Sequence, residues 1–215
     1  MNEIGCFGKV PAHGDFVWQS LPARFVTPWD NWLQAQMLQL KEQRPEDWLQ
    51  GYLCSPIWRF LIQDDALGAA TWCGIITPSV DVVGRYFPFT IATALPRDIS
   101  IVMASSALSP WLHQLEEAAL AALTASLSIE EVLARSRALD MANIPGQERE
   151  EQEQEQQPWS GVVSSGESWS DQLLGQILRT SFEQPCHWST IDANSGATRY
   201  RVTEGFTGFS ELFAS

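Results

Sequence analysis

Three short runs rich in aromatic and β-branched residues follow one another in the middle of the chain, at 58–62, 70–77 and 85–93. Only turn-length segments separate them: Asp64-Asp65-Ala66-Leu67-Gly68, then Pro78 through Gly84. Side chains of this kind suit a pleated, packed surface, and connections this short join neighbouring antiparallel strands, so the pattern predicts an antiparallel meander. Two further runs, 186–191 and 198–204, flank Asn194-Ser195-Gly196 and predict a second hairpin, and 5–9 can supply one more strand. A fold for this chain must therefore be built around a sheet.

Helical periodicity fills the rest. Thr27-Pro28-Trp29-Asp30 reads as an N-cap, a proline at the first helical position and an acid in the first turn. Trp29, Trp32, Leu33, Met37 and Leu40 then form one apolar face, with Gln34, Gln39 and Lys41 off it. Ser109-Pro110 precedes a second stripe of Trp111, Leu112, Leu115, Ala119 and Leu123. A capping box, Ser128 with Glu131, precedes Val132 and Leu133, and a further helix is expected from Ser170-Asp171 through Leu173, Leu174, Ile177 and Leu178. With at least four helices the sheet is expected to be covered on both faces, which places the chain in the α/β class. The 215 residues suit one domain at roughly 100–200 residues per domain.

Charge excludes several partners. The chain carries 13 Lys and Arg against 26 Asp and Glu, a net charge of −13, so phosphate-rich nucleic acid and anionic membrane surfaces are repelled. Residues 147–157 contribute −4 of that charge and contain no apolar side chain, so they are expected to form a solvated, flexible loop within a single 1–215 domain. An acidic docking segment is the functional alternative. The opening Met1-Asn2-Glu3-Ile4-Gly5 has no basic region ahead of an apolar run, and no stretch of about 18 apolar residues occurs, so the expected location is the cytoplasm. Cys6, Cys54, Cys73 and Cys186 show no Cys-x-x-Cys spacing and are expected to be reduced core residues.

Catalytic constellations fare poorly. Gly5-Cys6-Phe7-Gly8-Lys9 imitates a phosphate loop, but its spacing is short by one and Val10-Pro11 follows where Ser or Thr and a helix are required. His13, Asp15 and Ser79 supply the residue types of a nucleophilic triad, yet Pro78-Ser79-Val80-Asp81 lacks the glycines of a nucleophile elbow. Asp64-Asp65 and Glu116-Glu117 read as a turn and a solvated helix face; His13, His113 and His187 are not at ligand spacing, and Cys186-His187 would alternate faces of a strand, so no metal and no cofactor is expected. The segment that stands out is 74–90, whose loop places Asp81 and Arg85 four residues apart across Gly84. They can close into a polar latch, or the apolar-rimmed loop can form a recognition surface.

These residues also carry a family resemblance. Phe7-Gly8-Lys9-Val10-Pro11-Ala12-His13-Gly14-Asp15-Phe16-Val17 resembles the opening F-G-K-x-P-x-x-G-D-F signature of the TagF family of type VI secretion-associated proteins. Pro78-Ser79-Val80-Asp81-Val82-Val83-Gly84-Arg85-Tyr86-Phe87-Pro88-Phe89-Thr90 resembles that family's P-S-V-D-x-V-G-R-x-F-P-L-T element. Trp29-Asp30 with Trp32-Leu33, and Tyr52-Leu53 with Pro56-Ile57-Trp58-Arg59-Phe60, are similar to family segments in the same order, so the likeness covers roughly 4–95. The departures are His13 for a basic residue, Val82 for Arg, Phe89 for Leu, and Ser189 for a second tryptophan.

The resemblance implies a single three-layer α/β/α domain with a largely antiparallel or mixed sheet. It further implies a non-enzymatic cytoplasmic regulator that represses type VI secretion after translation, with the forkhead-associated-domain scaffold of that system as partner. The motif positions Gly8, Lys9, Pro11, Gly14, Asp15, Phe16, Pro78, Ser79, Asp81, Gly84, Arg85, Phe87 and Pro88 become the candidate binding or structural site. A hydrolase using His13, Asp15 and Ser79, or an adaptor without repressive role, are the competing readings. The two loops are expected to meet in space, with Asp15 near the 78–85 loop and Arg85 bonded to Asp81 or Asp15, because an arginine amid apolar neighbours requires a carboxylate. Trp18 and Trp159, which lie on no apolar stripe, are the candidate surface aromatics.

Overall fold

Side chains alternate across a strand, so a strand apolar at every position must be buried on both sides. Strands β3 (Trp58–Ile62), β4 (Thr71–Thr77) and β5 (Phe89–Leu95) are mostly apolar, are buried at nearly every position, and occupy the centre of a seven-stranded sheet. The computed structural model describes residues 4–63, 67, 70–95, 101–125, 127–137, 185–192, 195–206 and 212–213. β1 (Gly5–Gly8) pairs with β5 and with β2 (Val17–Gln19); on the other side β6 (Pro185–Ile191) pairs with β3 and with β7 (Thr198–Glu204). The order is β2-β1-β5-β4-β3-β6-β7, and each of these pairings is antiparallel. The meander and the C-terminal hairpin are both present as the sequence predicts.

Alternate residues of one strand enter two different core clusters. Phe60, Ile62, Trp72, Ile76, Ala92 and Trp188 join the first, together with Phe25, Trp29, Trp32 and Leu33 of α1 (Ala23–Gln43) and Tyr52 of α2 (Trp48–Leu53). Leu61, Cys73, Ile75, Phe89 and Ile91 join the second. There they meet Ala104 of α3 (Ile101–Ala107), Trp111 and Leu115 of α4 (Ser109–Ala125) and Val132 of α5 (Ile129–Arg137). The protein is thus a mixed α/β fold on an antiparallel sheet.

Several boundaries differ from the sequence reading, each for a local reason. α1 begins at Ala23, with Pro22 as its cap: the Pro22 carbonyl accepts from the amides of Phe25 at 2.9 Å and Val26 at 3.1 Å. Pro28 therefore lies inside the helix, where its missing amide leaves only the carbonyl of exposed Arg24, one turn back, without its helical donor. β5 begins at Phe89 and not at Arg85, because the Asp81 carboxylate takes the amides of Val83 and Arg85 into a tight loop and Pro88 has no amide to give a ladder. The capping box is closed reciprocally: Glu131 N–H donates to Ser128 Oγ at 3.3 Å and Ser128 N–H to Glu131 Oε2 at 2.9 Å.

Two side chains are corrections. Glu116 is buried and not on a solvated face: Arg59 of β3 donates to both its oxygens, each at 2.7 Å, and to Ser109 Oγ at 3.2 Å. Cys54 is exposed at the C-cap of α2, whereas Cys6, Cys73 and Cys186 are buried as expected. Burial pushes the Cys73 thiol up and the Cys186 thiol up to about 12, so both stay protonated. The expected helix near 170–178, the acidic run 147–157, Asp64-Asp65 and Trp159 lie outside the described residues.

Candidate functional site

The site starts where β1 ends. Gly8 has φ +129°, and a Cβ there would stand 2.0 Å from the Pro88 carbonyl oxygen, so only glycine lets the chain leave β1 this close to the start of β5. That exit carries Lys9, which is buried, across to the 78–88 loop. Its Nζ donates to Asp81 Oδ2 at 2.6 Å. Arg85 Nε donates to the same oxygen at 2.7 Å, while the amides of Arg85 and Val83 donate to Oδ1 at 2.8 Å and 3.1 Å. The Asp81 side chain, wholly buried, is thereby saturated by two cations and two backbone amides. Desolvation pushes the Asp81 carboxyl up, but the hydrogen bonds from Lys9 and Arg85 and the charge of Lys9 outweigh it and hold the carboxyl far below the usual carboxylate range.

The two signature loops are tied by backbone as well. Val82 N–H donates to the His13 carbonyl at 3.1 Å, and Arg85 Nη2 donates to the Gly14 carbonyl. Gly84, at φ +85°, turns the loop so that its own amide reaches the Asp81 carbonyl at 3.0 Å, while Asp81 N–H reaches the Arg85 carbonyl at 3.1 Å. Tyr52 anchors the loop base: its hydroxyl donates to the Ser79 carbonyl and accepts from the Ser79 amide, both at 2.8 Å. Burial pushes the Tyr52 phenol up, more than the Ser79 contact pulls it down, so it keeps the proton it donates.

Aromatic rings cover this polar knot. Phe16 lies 4.9 Å from Phe87 and 5.9 Å from Phe7, Trp18 meets Phe7 edge-on at 6.5 Å, and Lys9 Nζ stands 4.6 Å from the Phe16 ring centre. Phe7 and Phe87 are buried; Phe16 and Trp18 are about half exposed. Trp18 is thus a surface aromatic, as expected, held in place by its indole N–H donating to the Leu21 carbonyl at 2.7 Å.

Of the motif residues, Gly8, Lys9, Gly14, Phe16, Ser79, Asp81, Gly84, Arg85, Phe87 and Pro88 are brought together by these contacts. Pro11 and Pro78 are half-buried where the chain enters the two loops. Asp15 follows the His13-Gly14 pair bonded to the 78–85 loop, but its carboxylate is exposed and accepts the Phe16 amide at 2.8 Å, so Arg85 uses Asp81 alone of the two acids considered for it. The triad does not assemble either. No hydrogen bond joins His13, Asp15 and Ser79, and Ser79 Oγ is buried without a partner. Sequence reasoning missed Lys9 as the second cation on Asp81 and Tyr52 as the loop anchor. A lysine set between Phe7, Gly8 and Val10 is the signal that points to the first, since it can be buried there only against an acid.

Residues 5–139 match the family model described as the TagF N-terminal domain, type VI secretion system-associated. The chain belongs to the TagF family. Among solved structures it is similar to PA0076 from Pseudomonas aeruginosa PAO1, with 28% identity and a TM-score of 0.73 over 98% of this chain and 94% of that one. No curated protein matches the chain. Both signature loops fall inside the matched span, so the knot belongs to the TagF N-terminal domain of a type VI secretion-associated protein. Among the described residues no helix is long and apolar enough to cross a membrane, and no group of three or more His, Cys, Asp and Glu side chains is placed to hold a metal ion.

Proposed function

We propose that this TagF chain is a non-enzymatic repressor that holds type VI secretion in check after translation, acting in the cytoplasm by binding the forkhead-associated-domain scaffold of that system. One observation carries the reading beyond family membership: the buried carboxylate at the centre of the two signature loops, Asp81, is saturated by Lys9, Arg85 and two backbone amides. Asp81 has no acceptor capacity left for a substrate, Lys9 and the Nε and Nη2 nitrogens of Arg85 are committed to protein oxygens, and Ser79 Oγ has no base within reach. What the loops offer outward, the apolar Phe16, Val82 and Val83 beside the exposed Arg85, is held by this knot, the equipment of a recognition surface. A single three-layer α/β/α domain is the architecture we assign, supported by the division of strand side chains between the α1–α2 cluster and the α3–α5 cluster.

The test compares overexpressed wild type with a His13→Ala/Ser79→Ala double variant in a strain whose type VI activity is read as secreted tube protein. Equal repression by both supports stoichiometric binding. Loss of repression by a double variant that still folds and still binds the scaffold would favour a hydrolytic role instead.

A further inference from the structure

Four of the large apolar side chains that the described residues expose belong to the two joined loops and the strand that follows the first. They are Phe16 and Trp18 on one side and Val82 and Val83, 64% and 66% exposed, on the other. They form one surface. Val82 N–H is bonded to His13, a Cβ on Gly14 would touch Val82 Cγ1 at 3.4 Å, and Phe16 and Trp18 both pack on Phe7. The surface cannot collapse inward, because Asp81 and its two cations lie beneath it, fixed by bonds of 2.6 Å and 2.7 Å.

At the edge of the valines sits Arg85, whose side chain is 56% exposed. Its Nε is committed to Asp81 and its Nη2 to the Gly14 carbonyl, which leaves the Nη1 edge of the guanidinium without a hydrogen bond to any of the described residues. The knot beneath holds two cations, Lys9 and Arg85, against one buried carboxylate, so the charge of Arg85 is not spent on Asp81 alone. Asp15, next in the chain to the Gly14 that Arg85 holds, spends a carboxylate oxygen on the Phe16 amide and makes no bond to that guanidinium edge. Half-exposed aromatics with an arginine whose orientation is already fixed are the side chains that dominate protein interfaces, because little ordering entropy remains to be lost on binding.

We infer that Phe16, Trp18, Val82, Val83 and the open edge of Arg85 form the docking face for a folded protein partner that presents an apolar cluster flanked by a carboxylate. This rests on the binding role proposed above and assigns the face that performs it. The carboxylate is demanded by the unsatisfied guanidinium, which an apolar cover would bury at a cost. A second copy of this chain fits less well, since two bodies of −13 repel.

The probe is the purified forkhead-associated-domain scaffold, titrated calorimetrically against the full chain. A Val82→Glu/Val83→Glu variant changes only exposed side chains, so its melting temperature should stay that of wild type. Its Kd should rise at least about tenfold, as expected where anchors at an interface centre are disrupted. Val82→Lys/Val83→Lys should weaken binding less than the glutamates, because lysine attracts the carboxylate that glutamate repels. Leu38→Glu/Leu120→Glu, which alters exposed leucines on α1 and α4, should leave Kd unchanged. Wild-type affinity in the glutamate variant overturns the proposal, and lysines as damaging as glutamates overturn the carboxylate. If the scaffold does not bind wild type at all, the assigned partner is wrong, and the same variants scored for repression of secretion decide the face. Repression lost only in the glutamate variant supports it, and repression retained overturns it. Wild type that sediments as a dimer while the glutamate variant is monomeric would make the occupant a second copy and overturn a separate partner.

Discussion

Gly8 and Gly84 both have positive φ, yet their surroundings predict different costs for the same substitution. At Gly84, φ is +85° and nothing lies within 4 Å of an added Cβ, so Gly84→Ala should cost only the left-handed strain of about 1–2 kcal/mol. At Gly8 an added Cβ meets the Pro88 carbonyl at 2.0 Å and the Phe89 Cα at 2.9 Å. Both are backbone and cannot rotate away, so Gly8→Ala should lower the urea midpoint far more, with loss of the folded state as the extreme. Asp81 supplies a second test at this scale. Asp81→Asn leaves the buried Lys9 ammonium without its counter-charge and should lower the melting temperature; adding Lys9→Met should restore part of the loss, because an uncompensated buried charge costs more than an apolar replacement. A double variant no more stable than Asp81→Asn would show that the pair contributes hydrogen bonds alone.

Among the elements, α4 and α5 are held to the fold in ways that differ in magnitude. The Ser128–Glu131 box satisfies the two amides of 128 and 131 at the exposed start of α5, so Ser128→Ala should cost about 0.5–2 kcal/mol by denaturant unfolding. The Arg59–Glu116 pair ties α4 to the middle of β3 with both partners buried, and Glu116→Ala should cost about 3–5 kcal/mol because the guanidinium remains behind. Arg59→Met/Glu116→Leu should recover much of that. These two results would separate a cap, which only replaces water, from a buried pair, whose halves cannot be left alone.

For the molecule as a whole, two groups with large shifts, His187 and Asp81, contribute to the response to acid. His187 of β6 has its Nδ1 buried without a partner, and burial lowers its pKa from 6.5 to about 4. The unfolded chain therefore binds a proton there more readily than the folded one between those values. The stabilisation is complete above pH 6.5 and is lost as pH falls toward about 4. Asp81, held below its ordinary range chiefly by Lys9 and Arg85 against desolvation, contributes above the usual carboxylate pKa and is lost as pH falls beneath it. The urea midpoint should thus decline in two stages below neutrality. His187→Gln should flatten the upper stage and leave the lower one; an unchanged upper stage would assign it to other groups.

The sequence by itself determined the elements whose signals are local. The meander shows in runs of β-branched and aromatic residues, α5 in its capping box, the C-terminal hairpin in its turn, and the family in two contiguous motifs. Local signals survive because caps and turns act within three or four residues. β2 and α2 were not legible, because three and six residues are too few to show a period. The start of α1 was misplaced because Pro22 and Pro28 both look like helix openers and only the packing of Phe25 and Val26 chooses between them. Arg85 with Asp81 was legible at a spacing of four, but Lys9 with Asp81 spans 72 positions and Arg59 with Glu116 spans 57. Those pairings were decided by the sheet, which lays β1 beside β5 and α4 against the face of β3 that carries Arg59. Which charge is buried against which is a property of where distant strands bring the chain together, and no local pattern encodes it.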